Sequence, residues 1–189
     1  YELRDGSVIE SVLMPYKDGR RTACISSQAG CGMGCTFCAT GQMGFSRHLT
    51  SAEIFEQASR FSRELRRRGE RLSNVVFMGM GEPLANYNNV LEAARRIHDE
   101  LGVGARHITI STVGLARGIE KLADEDIPVT LAVSLHQADD ESRSAIMPVN
   151  RRYDLETLLS SINTYQRKTK RRVTFEWAAI QGENDDETA

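Results

Sequence analysis

Cys31-Gly-Met-Gly-Cys-Thr-Phe-Cys38 is the stretch on which the interpretation of this chain depends. Its cysteines have the spacing C-x-x-x-C-x-x-C, and the glycines between them let the backbone wrap tightly around a small inorganic core. A closed zinc site and a fully ligated four-iron cluster both require four protein ligands, whereas this stretch supplies three. A four-iron cluster with three thiolates leaves one iron open to a substrate or cofactor, so we expect such a [4Fe–4S] cluster here.

A zinc site is the alternative that the cysteine spacing leaves open. His48 would have to supply the fourth ligand, but it lies beyond Gly41 and Gly44 and next to the basic Arg47. Nothing else near the cysteines resembles a fourth ligand, and structural zinc requires one. We therefore favour the iron–sulfur cluster.

The composition is that of an ordinary globular domain. The 189 residues are 40% hydrophobic and 26% charged, with a formal net charge of −2. A strongly basic field over the whole protein is excluded, so a nucleic-acid site would have to be a local patch. There is no apolar run long enough to cross a membrane and no signal-peptide pattern, so we expect a cytoplasmic protein. Because the chain begins at Tyr1, we expect it to be a piece of a longer protein.

The distribution of the cysteines indicates a reducing environment. All four lie within residues 24–38, which is a poor arrangement for disulfides that would hold a whole domain together. Basic clusters are weaker signals, because most coincide with predicted helix ends and turns. Some could contact RNA phosphates, and such binding would depend on salt. These clusters are Arg66–Arg68, Arg151 with Arg152, and residues 167–172.

Hydrophobic patterns predict strands that alternate with helices. Thr50 and Glu53 have capping-box spacing before a helix that ends near Gly69. Further helices are predicted over Val90–Leu101, over Leu115–Leu122 and after the capping residue Asp154. The predicted strands are Val8–Met14, Thr22–Ser26, Asn74–Met78, His107–Thr112, Val129–Leu135 and Arg172–Ile180.

This order predicts an α/β fold. Strands that are apolar throughout indicate a parallel sheet buried on both faces, with right-handed helical crossovers. About five such strands follow the first hairpin, fewer than the eight of a complete barrel, and the pattern does not decide between an open sheet and part of a barrel. We assign residues 1–21 to a β-hairpin lead-in segment and residues 22–189 to the core.

Polar and glycine-rich residues follow the predicted strands. In parallel α/β folds, functional groups collect at the carboxyl ends of the strands, so we expect these residues to converge on one face. They are Cys31–Cys38, Gly79–Glu82, Ser111 with Thr112, Ser134–His136 and Gly182–Asn184.

The cysteine spacing, with Phe37 just before the last cysteine, resembles the radical SAM superfamily. The resemblance implies that S-adenosylmethionine (SAM) chelates the open iron and is cleaved to a 5′-deoxyadenosyl radical. Gly79–Pro83 resembles the glycine-rich SAM-binding strand end, where bare backbone could approach the amino group of SAM and Glu82 could complement its charge. A tight turn with a surface glutamate is the alternative for this segment.

Longer motifs resemble one family, the radical SAM RNA adenine methyltransferases (RlmN/Cfr). They occur in the family's order over almost the whole chain, namely Cys24-Ile-Ser-Ser-Gln-Ala-Gly-Cys31, Phe37-Cys-Ala-Thr-Gly-Gln42, Asn74-Val-Val-Phe-Met-Gly-Met-Gly-Glu-Pro-Leu-Ala-Asn86, Ile110-Ser-Thr-Val-Gly114, Ser134-Leu-His136 and Met147-Pro-Val-Asn150. The resemblance implies a partial (β/α) TIM-like barrel of the radical SAM type. It also implies methylation of C2 of adenine in 23S rRNA and tRNA, while a sister branch methylates C8.

The resemblance assigns a role to individual residues. Cys24 matches the cysteine that resolves the protein–RNA crosslink through a transient disulfide, although a small buried residue is the alternative. Glu10 matches the base that deprotonates the adduct, and without the family it would be a solvated residue. Cys31, Cys35 and Cys38 match the cluster ligands, and Gly81, Glu82, Ser111, Ser134, Leu135 and His136 match SAM-binding positions.

The family pattern extends beyond this chain. The methyl-accepting cysteine, a SAM-contacting asparagine and an N-terminal RNA-binding domain have no counterpart here, so we expect the chain to bind cluster and SAM without completing methyl transfer. The implied partners are 23S rRNA, tRNA and a reductant such as flavodoxin, and we expect a monomer that does not bind membranes. Adenine-C8 methylation and a non-catalytic iron–sulfur or zinc module are the alternative functions.

Overall fold

The structure is a computed structural model that describes residues 1–182, 184 and 185. Its strands are β1 (Val12–Pro15), β2 (Arg21–Cys24), β3 (Gln28–Gly30), β4 (Phe45–His48), β5 (Asn74–Phe77), β6 (Ile108–Thr112), β7 (Thr130–Ser134) and β8 (Val173–Glu176). Its α-helices are α1 (Ala39–Gln42), α2 (Ser51–Arg67), α3 (Tyr87–Leu101), α4 (Ala116–Leu122), α5 (Asp140–Ile146) and α6 (Leu155–Thr169). Within the described residues, no helix is long and apolar enough to span a membrane.

The main sheet confirms the predicted α/β fold. Its strand order is β1-β2-β5-β6-β7-β8, and β2, β5, β6, β7 and β8 run parallel to one another. β1 is antiparallel to β2 and forms the predicted hairpin with it. The second strand of this hairpin is also the first parallel strand of the sheet, because β2 pairs with both β1 and β5. The boundary between residues 21 and 22 stays a prediction.

The two faces of the sheet differ, and the expectation that both are buried is only partly correct, because the inner face combines the buried Ser111 and Ala132 with half-buried residues. On the outer face, Val75, Ile110 and Leu131 are completely buried in a core shared with the helices. On the inner face, Val76 and Thr109 are half-buried and pair with each other across β5 and β6. The helices cover one face only, and the other face surrounds the cavity described below.

Two predicted strands are shorter than expected. Val8 only forms an isolated bridge to Glu2, because residues 1–9 fold back on themselves, and β1 begins at Val12. β8 ends at Glu176 because the next backbone groups bond to side chains instead of to a strand. The Ala178 amide donates to His136 Nδ1, at 3.0 Å.

Helix α2 begins with the predicted capping box. Thr50 Oγ1 accepts from the Glu53 amide at 3.2 Å, and a Glu53 carboxylate oxygen accepts from the Thr50 amide at 2.9 Å. The buried Ile54, Ala58 and Leu65 lie on its core-facing side. The predicted start of this helix is therefore confirmed.

Candidate functional site

A cavity of about 270 Å³ lies at the carboxyl ends of the parallel strands. Its wall combines the cysteine loop with the residues that follow β5, β6 and β7, and with the end of β8. The structure thus brings most of the predicted site residues together: Cys31, Cys35, Cys38, Gly81, Glu82, Ser111, Ser134 and His136 all line it.

The cysteine loop is held by a hairpin that sequence patterns did not reveal. β3 and β4 are antiparallel, and the loop between them carries the cysteines. Gly30 has a φ of +74°, and a Cβ there would lie 2.0 Å from the Gly44 carbonyl oxygen, so glycine is required where the two ends of the loop meet. These strands lack an apolar pattern, being Gln-Ala-Gly and Phe-Ser-Arg-His, and the pairing is visible only in three dimensions.

The environment of the three cysteines fits a bound cationic centre. Burial raises the pKa of the Cys35 thiol to about 11, and Cys31 and Cys38 raise it further by charge repulsion. Burial also raises the pKa of Cys31. The deprotonated forms that metal binding requires would therefore need a positive partner, which iron would supply.

A site for a single metal ion would need a different arrangement of side chains from a four-iron cluster. Among the described residues, no three His, Cys, Asp or Glu side chains form a group that could hold one metal ion. A four-iron cluster does not require such a group, because each thiolate binds a different iron.

Glu82 is buried and joins two strand ends. One carboxylate oxygen accepts from the Leu84 amide at 2.9 Å, and the other accepts from the Val113 amide at 2.8 Å. Burial raises the pKa of Glu82 to about 7, against the opposing effect of these two amides. The carboxylate therefore fixes the turn after β5 against the end of β6, and each oxygen keeps one lone pair for another donor.

The glycines beside Glu82 are required by packing. Gly81 has a φ of +99°, and a Cβ there would lie 2.5 Å from Gln28 Cβ. Gln28 Oε1 accepts from the Glu82 amide at 2.8 Å, which holds the glycine turn against β3. The segment is thus a tight turn, but its glutamate is buried in the cavity wall and not at the surface.

Glu176 is a cavity residue that sequence analysis missed. Ser111 Oγ donates to Glu176 Oε2 at 2.8 Å, and Ser134 Oγ donates to the same oxygen at 3.4 Å. Glu176 pairs with Ser134 in the register of β7 and β8, so both belong to the inner face. A carboxylate near the end of an otherwise apolar strand was the signal that could have revealed it.

His136 has a special backbone conformation and a defined tautomer. Its φ is +61°, and Nδ1 accepts from the Ala178 amide, so the neutral ring carries its proton on Nε2. Burial lowers the pKa of His136, and Arg143 lowers it further. The ring of Phe37 meets that of His136 edge-on, with centroids 4.9 Å apart, which connects the cysteine loop to the end of β7.

Two other predicted residues, Leu135 and Asn184, hold the end of β7 in place through hydrogen bonds that involve the backbone. Leu135 packs against the main core, and its amide donates to the Glu176 carbonyl at 3.0 Å. Asn184 is buried, and its Nδ2 donates to the His136 carbonyl at 2.6 Å. Glu183, also expected at this strand end, lies outside the described residues.

Cys24 and Glu10 do not line the cavity. Cys24 ends β2 opposite Val12, and burial raises the pKa of its thiol. Glu10 is exposed, and its carbonyl oxygen accepts from Ser26 Oγ at 2.5 Å. All four cysteines are free thiols.

The family comparison agrees with this arrangement of thiols and strand ends. The model of the radical SAM superfamily matches residues 25–189. The chain belongs to the radical SAM superfamily. Members of this superfamily use a [4Fe–4S] cluster and SAM, which agrees with the cluster expected from the cysteine spacing and with the SAM implied by the resemblance.

Individual relatives in the superfamily are close in sequence and fold. The chain is 55% identical over 185 residues to the dual-specificity RNA methyltransferase RlmN 1 of Myxococcus xanthus, covering 97% of the chain and 51% of that protein. It superimposes on the crystal structure of a radical SAM methyltransferase from Sphaerobacter thermophilus with a TM-score of 0.95 and 47% identity, covering 98% of the chain and 55% of that structure. The chain spans about half the length of the curated relatives it matches.

Proposed function

We propose that this chain is the core of a radical SAM RNA methyltransferase that methylates C2 of adenine in 23S rRNA and tRNA. The proposal rests mainly on one cavity, in which three cysteines lie beside the ends of four parallel strands. The 55% identity to an RNA methyltransferase over nearly the whole chain supports the substrate class.

Cys31, Cys35 and Cys38 would hold the iron–sulfur cluster. When bound, the cluster supplies the electron for reductive cleavage of SAM. The chain's own contribution is to bind and orient the cofactors in a cavity partly screened from water, with Cys35 packed against Ile146 and Met147.

SAM would be held by the strand ends opposite the cysteines. Its positions on this chain are Gly81, Glu82, Ser111, Ser134, Leu135 and His136, to which we add Glu176. Glu176 is half-buried in the wall, whereas Glu82 has both oxygens bonded to backbone amides. Glu176 is therefore the better-placed acceptor for hydroxyl or ammonium donors of SAM.

Cys24 and Glu10 would act on the RNA adduct. The raised pKa of Cys24 keeps this thiol protonated near neutral pH, so its attack on a crosslink would require loss of that proton. Glu10 would serve as the general base that deprotonates the adduct. The Glu10 carbonyl accepts from Ser26 Oγ, two residues after Cys24, and this contact between the two segments supports a shared role.

The remaining assignments belong to the same proposal. The hairpin of residues 1–21 leads into a core over residues 22–189, and the protein acts as a cytoplasmic monomer supplied with electrons by a flavodoxin-like reductant. Its RNA would have to present an extruded adenine at the mouth of the cavity.

The test is anaerobic reconstitution of the chain with iron and sulfide, followed by addition of SAM and dithionite. We expect 5′-deoxyadenosine to form. A colourless, zinc-loaded protein that leaves SAM intact would contradict the proposal.

The RNA product is tested with the full-length protein and unmodified 23S rRNA or tRNA. Nucleoside analysis by mass spectrometry and chromatography should give 2-methyladenosine. Formation of 8-methyladenosine would assign the protein to the sister activity instead.

A further inference from the structure

Arg143 on α5 is a fully buried cation at the edge of the candidate site. Its side chain has no measurable solvent exposure. Burying a guanidinium is unfavourable unless hydrogen bonds and a negative partner compensate for the lost water. The residue therefore requires an explanation that helix packing alone does not provide.

The guanidinium donates hydrogen bonds to four neutral oxygens. Nη2 donates to the Val113 carbonyl at 2.8 Å and to the Ser134 carbonyl at 3.1 Å. Nε donates to the Leu135 carbonyl at 3.1 Å, and Nη1 donates to Asn150 Oδ1 at 2.7 Å. These bonds join the ends of β6 and β7 directly beside Ser134 and His136.

No carboxylate in the described part of the chain forms an ion pair with Arg143. Asp140, on the same helix, connects to Arg143 through Asn150, whose Oδ1 accepts from Arg143 and whose Nδ2 donates to Asp140 Oδ1 at 2.8 Å. Asp140 is exposed, so water screens its charge, whereas Cys35 is buried. Arg143 Nη2 bonds to the Val113 carbonyl, and Val113 packs against the cluster of Cys35, Ile146 and Met147, so the guanidinium lies on the side of the cysteine loop.

The same helix also holds the cysteine loop in place. The Thr36 amide donates to the Ile146 carbonyl at 3.0 Å, and Cys35 packs on Ile146 and Met147. A [4Fe–4S]²⁺ core with three thiolates is anionic, and one-electron reduction adds a further negative charge. Nearby charge is one of the properties that set the reduction potential of such clusters.

We propose that Arg143 is a positioning residue that supplies the buried positive charge facing the cluster held by Cys31, Cys35 and Cys38, while its hydrogen bonds fix the strand ends that carry Ser134 and His136. This inference rests on the proposed function. It explains why a charged side chain, and not a neutral one, occupies this place.

The test compares Arg143→Gln and Arg143→Lys with Arg117→Gln, which removes an exposed arginine from α4. Each protein is reconstituted anaerobically, its iron and sulfide are measured, and the one-electron midpoint potential is determined by titration with dithionite and spectroscopy. Urea unfolding of each iron-free protein reports the effect on the fold separately.

For Arg143→Gln we expect the equilibrium constant for reduction to fall about tenfold, a shift of about 59 mV to more negative potential for a one-electron couple. The equilibrium constant for reduction should stay within about twofold of the unmodified chain in two variants. They are Arg143→Lys, which keeps the charge but not the bonds to four oxygens, and Arg117→Gln.

An unchanged potential in a folded, iron-loaded Arg143→Gln protein would overturn the inference. If Arg143→Gln does not fold, Arg143→Lys provides the test, because lysine keeps the positive charge but loses most of the hydrogen bonds. A lowered potential in Arg143→Lys would then mean that Arg143 acts only by holding the strand ends in place, and it would overturn the inference. Failure of the unmodified chain to bind a four-iron cluster would contradict the proposed function instead.

Discussion

Individual cysteines in this chain have different environments, although all four lie within a short stretch. Cys31, Cys35 and Cys38 face one cavity, while Cys24 lies at the end of β2 and outside the cavity wall. The spacing in sequence separates Cys31, Cys35 and Cys38 from Cys24, and the structure separates them in the same way.

Replacing Cys35 should therefore have a different effect from replacing Cys24. We expect Cys35→Ala to lose most of the iron bound after reconstitution, because the cluster would lose one of its three thiolates. Cys24→Ala should retain the iron content of the unmodified chain and should still cleave SAM. Iron and sulfide analysis with the absorption spectrum measures this, and equal loss in both variants would place Cys24 among the ligands.

Glu176 gives a second prediction at the residue scale. Glu176→Gln should weaken SAM binding by about 10- to 150-fold, because a charge-assisted hydrogen bond contributes roughly 1.5–3 kcal/mol. Iron content should not change, since Glu176 is not a thiolate ligand. Equilibrium dialysis of SAM against the reconstituted protein measures the affinity.

Glu92→Gln on the exposed side of α3 is the matched control for this substitution. An affinity that is the same in the Glu176 and Glu92 variants would remove Glu176 from the SAM site.

At the scale of elements, the start of α2 depends on a local network. Glu53 bonds to the Thr50 amide and to both terminal nitrogens of Arg47, and Arg47 reaches Asp5 as well. The Arg47 guanidinium is the largest influence that lowers the pKa of Glu53 to about 2. The capping box thus also ties the helix to β4 and to the N-terminal segment.

Glu53→Gln should lower the free energy of unfolding by about 1 kcal/mol at pH 7, the typical loss for a disrupted cap. The folded-state pKa of Glu53 lies below its ordinary value of 4.5. The carboxylate's contribution is therefore present above about pH 4.5 and disappears as the pH falls toward 2.

Urea unfolding of both proteins between pH 7 and pH 2.5 should show this difference shrinking as the pH falls. A difference that does not vary with pH would mean that the charge of Glu53 is unimportant, and Glu92→Gln should show little difference throughout.

At the scale of the whole molecule, the sheet has a packed outer face and an open inner face. Ile110→Ala should lower the free energy of unfolding by about 2–5 kcal/mol, because it leaves a void between the sheet and the helices. Thr109→Ala, one residue earlier on the half-buried inner face, should cost less than about 1 kcal/mol. Urea denaturation measures both, and similar losses would contradict the two-faced arrangement.

Sequence patterns predicted the order of strands and helices because these depend on neighbouring residues. The capping box of Thr50 and Glu53 and the apolar runs at Asn74–Met78 and Val129–Leu135 are local signals of this kind. The apolar runs did not reveal that one face of the sheet is open, since half-buried residues such as Val76 are also apolar. Likewise, Val8 and Ile9 resemble the start of a strand, but Val8 bridges to Glu2 and the Ile9 amide donates to the Tyr1 carbonyl instead.

By itself, the sequence determined which residues could bind iron and where the strands end, because three cysteines at fixed spacing and a glycine turn are properties of short stretches. Only the tertiary structure decided which groups meet. Ser111 and Glu176 lie 65 residues apart and share a hydrogen bond, and Arg143 reaches Val113 across 30 residues. Such pairs depend on the register of parallel strands and on helix docking, which arise from packing of the whole chain and leave no pattern in any one segment.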